Sequence, residues 1–506
     1  MMMRPTRPIR IALLALVAVC TACATQEPKP GAIPAELLRL PRPRVEPTGP
    51  EYAAPQLAID SNGDVALLWL AIEWRKRWDV LLARSKDLGT TWLQQALSLK
   101  PGKARIAGGI RIANDQKGHL YIAWREMDHD KKNRDLIFFR MGDEGVLSRR
   151  SLSTSHDLVV PYLLADPDGG VYVAWLDGYE HHRWLRLATS PDSGFTFSTD
   201  PIRLTAANSR ADWGIDHPRL ASSGEGHLYV VWQEVNGPRD YRIYLQRSSD
   251  RGKTWTSEPV LLNIPDPKAS GARDPWLVTA PKGRVYVAWE QAEKRFSDPR
   301  DPEAAIDTDR MIYVTRSLDY GDTWLPQPVR VNDAGPTPIS VLHPQLSAGQ
   351  DEDVYAIWLE ADGGPDPKRL MFARSTDSGL TWSAPKVRLD LTSPFGTRPT
   401  QPMIRSDASG HVWVLWQELT SRPRGWQLLM NRSDDRGQTW LKQAVPLTRP
   451  TERGGTFRGV DFKNDQRGRL YVAWDGGAGN AQEIYFNRST DFGATWLPSA
   501  VQIGQR

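Results

Sequence analysis

From Pro55 to the end of the chain, apolar residues come in short runs rather than at helical spacing. Stretches such as His227-Leu-Tyr-Val-Val-Trp232 and Arg242-Ile-Tyr-Leu-Gln-Arg247 are rich in β-branched and aromatic side chains and bounded by turn residues. That combination predicts strands of about five to seven residues. One order recurs: an opening segment such as His217-Pro-Arg-Leu-Ala-Ser-Ser223, a turn, a strand ending in Trp, and a variable loop. A third strand, the motif S-x-D-x-G-x-T-W and a last short strand complete the unit. The first turn, as in Asp166-Pro-Asp-Gly-Gly170, has the chemistry of a tight hairpin that needs positive φ.

The motif starts at Ser85, Ser190, Ser248, Ser317, Ser375, Ser433 and Ser489, and the copy at Ser190 ends in Phe197 instead of Trp. Between the first two, Arg140 to Ser148 occupies the same place in decayed form and keeps Asp143 and Gly145. The second strand closes on Trp69, Trp124, Trp175, Trp232, Trp289, Trp358, Trp416 and Trp474. These eight and six motif tryptophans account for 14 of the 21 in the chain, so two repeated structural slots explain the unusual composition. A four-stranded sheet cannot bury both faces alone, whereas sheets stacked radially can, and ring closure leaves only short outer edges. The expectation is an all-β fold, a single β-propeller of four-stranded antiparallel blades over residues 54–506. Eight blades are favoured over seven.

The N-terminus reads differently. A basic start containing Arg4, Arg7 and Arg10 precedes an apolar run too short for a lasting membrane span, and both cysteines, Cys20 and Cys23, follow it. This predicts a lipoprotein signal peptide over 1–22 with Cys23 as the lipidated residue. Ala22 stands at −1, while Cys20 at −3 departs from the usual apolar residue. An ordinary secretory cut near Ala22 or Ala24 is the alternative. Residues 23–53 are proline-rich and read as a tether. The expectation is an exported monomer, lipid-anchored to a bacterial membrane, with the outer membrane or periplasmic face favoured.

Lys and Arg total 64 against 60 Asp and Glu, and three of the positives lie in the signal segment. A near-neutral body gives no electrostatic case for nucleic acid. No HExxH or calcium-loop pattern appears, and the one Cys-x-x-Cys spacing, Cys20 to Cys23, ends the signal segment, so neither a metal nor a cofactor is expected.

Ser and Asp in the repeated motif have a structural reading, fixing a turn by side-chain hydrogen bonds. The motif after an Ile-Tyr-x-x-Arg strand also resembles the bacterial neuraminidase repeat, the Asp-box, of the sialidase superfamily, over about residues 54 to 503. The resemblance implies a propeller and places glycan chemistry among the expected functions. A sialidase proper has fewer blades, usually six. It clamps a substrate carboxylate with three arginines and uses a Tyr nucleophile assisted by Glu, with an Asp acid/base. The first arginine stands in a Tyr/Phe-Arg-Ile-Pro stretch. The nearest match here is Gly109-Ile110-Arg111-Ile112-Ala113, in the second unit and with Ala in place of Pro, so the arginine triad is not evident.

Antiparallel topology puts the Asp-boxes and first hairpin turns on one face. The loops after each repeated Trp and the linkers between blades then share the other. Those linkers carry Asp216, Arg219, Arg273, Asp274 and Arg458, with Trp213 positioned to stack on a sugar. Acids recur after the repeated Trp, Glu234 among them. Asp216, Glu234 and Asp274 are the candidate catalytic residues, and Arg111, Trp213, Arg219, Arg273 and Arg458 the candidate substrate-binding residues. The W-x-E acids also have a structural reading, pairing with neighbouring arginines or capping loops. His217 and His343 share an H-P-[RQ]-L slot and read as turn-fixing groups. The charged insertion from Gln291 to Arg310 reads as a lid. The expected function is envelope-anchored glycan binding with a possible glycoside hydrolysis. The competing expectation is a non-catalytic propeller binding an envelope protein.

Overall fold

A computed structural model describes residues 51–503 apart from 74–76, 93–95, 100–104, 116, 128–133, 144, 156–157, 160, 180–181, 206–213, 237–239, 265–270, 297–304, 334–339, 350, 362–367, 394–395, 422–423, 450–456, 458, 466 and 477–482. Cys23 and the tether up to residue 50 therefore lie outside the described residues, as do Trp213 and Arg458, while residues 51–53 begin the first strand.

Eight four-stranded antiparallel sheets follow one another along the chain, each in simple strand order, and this decides for eight blades over seven. The first strand of each blade touches the first strands of its neighbours, so these inner strands line the axis of the ring. They run Glu51–Ile59, Arg105–Asn114, Tyr162–Ala165, Ile215–Gly224, Ala272–Ala280, Ser340–Ala348, Gly396–Ser406 and Val460–Asn464 in blades 1 to 8.

The apolar core is divided into eight clusters, each shared by two adjacent blades. In one, Tyr172, Leu176 and Leu187 of blade 3 meet Leu228, Val230 and Trp232 of blade 4. In another, Leu57, Trp69 and Leu81 of blade 1 pack on Tyr471, Ile484 and Phe486 of blade 8. All eight strand-end tryptophans are fully buried. Among the described residues no strand is exchanged between the first and last blades, and this packing holds the ring closed. The Leu57 N–H donating to Asp461 Oδ2 at 2.8 Å and Arg488 donating to Thr90 Oγ1 at 2.8 Å reinforce it.

Each Asp-box is a self-contained knot. In blade 1, Ser85 Oγ accepts the Gly89 N–H at 2.8 Å. Asp87 accepts the Thr91 N–H at 2.8 Å and the Thr91 hydroxyl at 2.6 Å, and the Trp92 indole donates to the Gly89 carbonyl at 3.1 Å. These bonds hold the Asp87 carboxyl down at about 2. A side chain at Gly89, where φ is 78°, would bring Cβ within 2.2 Å of the Phe486 ring of blade 8, so glycine permits the close approach between blades. The boxes share a face with the first hairpin turns, as expected: the Arg251 N–H donates to the Gly226 carbonyl and the Tyr320 N–H to that of Gly283, both at 2.8 Å.

Blade 2 replaces its box with a tight hairpin that pairs Gly142 with Gly145 and feeds a long outer strand, Gly145–Ser155. Asp143, kept from the decayed motif, now pairs with Arg84 of blade 1 at 3.1 Å. The insertion after Trp289 extends the central hairpin of blade 5, with Arg284–Phe296 pairing with Ala305–Ser317, on the face opposite the boxes. Its tip, 297–304, lies outside the described residues.

Candidate functional site

Six of the eight inner strands carry a kink near their starts, while the described parts of those in blades 3 and 8 pair without a register slip. The antiparallel register slips between Ala53 and Gln56, Asp216 and Arg219, Arg273 and Trp276, Leu342 and Gln345, and Thr400 and Met403. Within each slip stands a residue with left-handed φ followed by proline: Ala54 (55°), His217 (53°), Asp274 (51°), His343 (55°) and Gln401 (47°). Gly109 (76°) occupies the corresponding bulge in blade 2. The bulge adds a residue on one strand, and the proline needs no ladder hydrogen bond there. Positive φ is unfavourable for residues with Cβ, so four chemically capable side chains sit where glycine would be easier.

In blades 4 to 7 these bulges open onto one cleft of about 340 Å³ on the face opposite the Asp-boxes. His217 and Arg219 come from blade 4, Asp274 and Trp276 from blade 5, His343 and Gln345 from blade 6, and Gln401 and Met403 from blade 7.

Asp274 stands at the centre of its chemistry. Its backbone N–H donates to Gln233 Oε1 of blade 4 at 3.1 Å, which fixes the bulge against the neighbouring blade. Its carboxylate lies 3.5 Å from His343 Nδ1 and 4.0 Å from the Arg219 guanidinium. Burial pushes this carboxyl up, but the hydrogen bond from His343 and the charges of His217, Arg219 and His343 outweigh it and hold the carboxyl below the usual range. Arg219 lies 5.0 Å from the centre of the Trp276 ring, a cation–π distance, and its buried Nε has no hydrogen-bond partner in the structure. The Trp276 indole donates to the Leu346 carbonyl at 3.1 Å and so ties blade 5 to blade 6. In blade 7, Gln401 Oε1 accepts from Gln417 at 2.6 Å.

Behind the cleft, Glu290 is 7% exposed and pairs with Arg310 at 3.1 Å. Burial raises its carboxyl, Arg310 opposes, and the nearby Asp274 charge raises it further, so it sits above the ordinary value. Two carboxyls in one neighbourhood are thus pushed in opposite directions.

Of the candidates taken from sequence, the structure brings Arg219 and Asp274 together in the cleft. Arg111 lies on the axis, where it feels the charges of Arg219 and Asp461. Burial, the largest effect, lowers its pKa, and its guanidinium sits 5.7 Å from the Tyr162 ring. Asp216 is turned to Arg183 of blade 3 at 3.8 Å. Arg273 lies over the Tyr241 ring at 4.0 Å, outside the cleft lining. Glu234 is 3% exposed in the second strand of blade 4. Other acids of that repeated position are indole acceptors: Trp124 donates to Glu126 at 3.0 Å, Trp358 to Glu360 at 2.8 Å and Trp416 to Glu418 at 3.0 Å. Burial raises the carboxyl in all three. His217 and His343, read from sequence as turn-fixing, are exposed in the cleft. Among the described residues, no cluster of three or more His, Cys, Asp and Glu is placed to hold a metal ion.

The fold and its repeat define an eight-bladed Asp-box propeller. The family model for the BNR-Asp box repeat matches residues 245–257, the end of the third strand and the box of blade 4. No curated protein matches the chain in sequence. Solved structures similar to it include an ulvan lyase of polysaccharide lyase family 25, at 11% identity, with 79% of this chain and 96% of that one covered and a TM-score of 0.47. A Penicillium chrysogenum α-L-arabinanase complexed with arabinobiose shares 18% identity over 66% of this chain and 93% of its own, with a TM-score of 0.41. A Hadza microbial sialidase shares 15% over 73% and 63%, with a TM-score of 0.33.

Proposed function

We propose that this propeller binds a glycan in the cleft formed by the inner strands of blades 4 to 7 and acts on it by acid–base chemistry. The observation that carries this reading is the set of four consecutive bulges that present His217, Asp274, His343 and Gln401 to one space, beside Arg219 and Trp276. A cleft of this size accommodates a short run of sugar rings. Trp276 offers an apolar ring edge, Gln345 and Gln401 offer hydroxyl partners, and Arg219 offers a charged fork for an anionic substituent. Imidazoles beside a carboxylate are suited to moving protons near neutral pH.

The test is binding of the purified body to a panel of neutral and acidic polysaccharides, with Trp276→Ala and Arg219→Ala as the informative variants. Both should weaken binding at least tenfold without loss of the fold. Unchanged binding in both would move the site elsewhere. We further propose that Cys23 carries the lipid that holds the body at the envelope. Cys23→Ser should release the protein from membranes, and unchanged partitioning would contradict the anchor.

A further inference from the structure

The question left by that reading is which bond-breaking chemistry the cleft is built for. Most glycoside hydrolysis uses two carboxyl groups facing each other across the scissile bond, about 5 to 9.5 Å apart. Among the described residues, Asp274 is the one carboxylate lining the cleft. The next acid, Glu290, is engaged by Arg310 at 3.1 Å and is not part of the lining. What surrounds Asp274 instead is cationic or basic: His217, Arg219 and His343. This is a poor set for hydrolysis and a suitable one for removing a proton beside a carboxylate.

We propose that the cleft cleaves a uronate-containing polysaccharide by β-elimination, with His343 as the base, Arg219 as the neutraliser of the uronate carboxylate and His217 as the acid. The proposal rests on the glycan reading above and names its substrate class and reaction. The hydrogen at C5 of a uronate is only weakly acidic, and pairing the adjacent C6 carboxylate with a guanidinium makes its removal easier. Arg219 can offer its guanidinium for this: among the described residues its one ion pair is a long one, 4.0 Å to Asp274, and its buried Nε is unpartnered. His343 Nδ1 faces Asp274 at 3.5 Å, so the Nδ1–H form is favoured and the Nε2 lone pair is left for substrate. Its side chain is 57% exposed, which gives a polymer access.

In the step, Nε2 of His343 takes the C5 proton and the C5–H electron pair becomes the C4=C5 double bond. The C4–O bond breaks, its electrons leave with the oxygen of the departing sugar, and that oxygen receives a proton from protonated His217. The products are a 4,5-unsaturated uronate and a new chain end. No water, oxidant or metal is consumed, and proton exchange with solvent resets both imidazoles. Asp274 is a positioning residue, holding the tautomer and orientation of His343.

The experiment follows two signals on the purified body with polymers of glucuronate, galacturonate and mannuronate, and with arabinan as a neutral control. One signal is the ultraviolet absorbance of the unsaturated uronate and the other the formation of new reducing ends. Binding is measured alongside. Equal molar growth of both signals on at least one uronate polymer, and neither on arabinan, is the expected result. His343→Ala and His217→Ala should each lower the rate about a hundredfold with an unchanged melting temperature. Asp274→Asn should lower kcat with little change in KM, because His343 loses the carboxylate that fixes its tautomer and orientation. Reducing ends without absorbance would make the protein a hydrolase and overturn the elimination while leaving the glycan reading intact. Binding of these polymers with neither signal would overturn it in the same way. Failure to bind any polymer would overturn both.

Discussion

The two halves of the ring use one backbone device for different ends. In blades 4 to 7 the left-handed bulge carries His217, Asp274, His343 and Gln401. In blades 1 and 2 it carries Ala54 and Gly109, and blade 8 reaches the same point through Gly459, which lacks positive φ. The packing behind the bulges is the same all round, with a buried Trp closing the second strand of each blade. Where the kink occurs, the fold therefore does not fix its side chain. A non-glycine residue held at positive φ costs on the order of 1 kcal/mol or more, and such strain concentrates at functional sites. Its pairing with chemically capable side chains falls on one arc of the ring, blades 4 to 7.

That comparison can be broken most forcefully at the part both halves share. Trp232→Ala in the polar half and Trp474→Ala in the plain half should each destabilise by about 3–5 kcal/mol, read as denaturant midpoints. A much smaller loss in one half would mean that the blades are not equivalent supports. The bulge residues should behave oppositely. Gln401→Gly should raise stability by up to about 1 kcal/mol while weakening glycan binding, whereas Gly109→Ala should lower stability by a similar amount with binding unchanged. If Gln401→Gly is destabilising and leaves binding alone, the polar bulges serve packing.

Acid should act on both halves, through the Asp-boxes of every blade but the second. The carboxyls of Asp87, Asp192, Asp250, Asp319, Asp377, Asp435 and Asp491 are all held below their ordinary value in the folded chain. A depressed folded pKa contributes stability that is complete above the unfolded value and disappears as pH falls through the folded one. Melting temperature should therefore decline between about pH 4 and pH 2. Asp250→Asn, in the polar half, and Asp491→Asn, in the plain half, should each reduce that decline slightly. A decline unaffected by either change would remove the boxes from the acid response.

The contrast also explains what could be read from the chain alone. The eight Trp positions and the boxes repeat with fixed chemistry, so blade count and the shared face of boxes and hairpin turns were legible. The site was legible in part. Counting alternate residues assigns faces along a strand, but a bulge resets the count. Asp216 and Arg273, each next to a bulge, point away to Arg183 and Tyr241. Glu234 carried no mark to separate it from acids that accept from an indole, as Glu126, Glu360 and Glu418 do. His217 and His343 looked structural because their slot repeats. The informative signal was variation inside that repeat: Ala54, His217, Asp274, His343 and Gln401 each precede a proline, and the side chain changes while the proline does not.

The central claim is that the polar bulges are held for ligand rather than for the fold. The most direct measurement is a calorimetric titration of a bound polysaccharide into His217→Gly/His343→Gly beside the unaltered protein, with the melting temperature of both. Loss of binding by at least tenfold, with a melting temperature equal to or above that of the unaltered protein, is the predicted result. A lowered melting temperature with binding intact would show that the bulges hold the ring together and that the cleft is not the site.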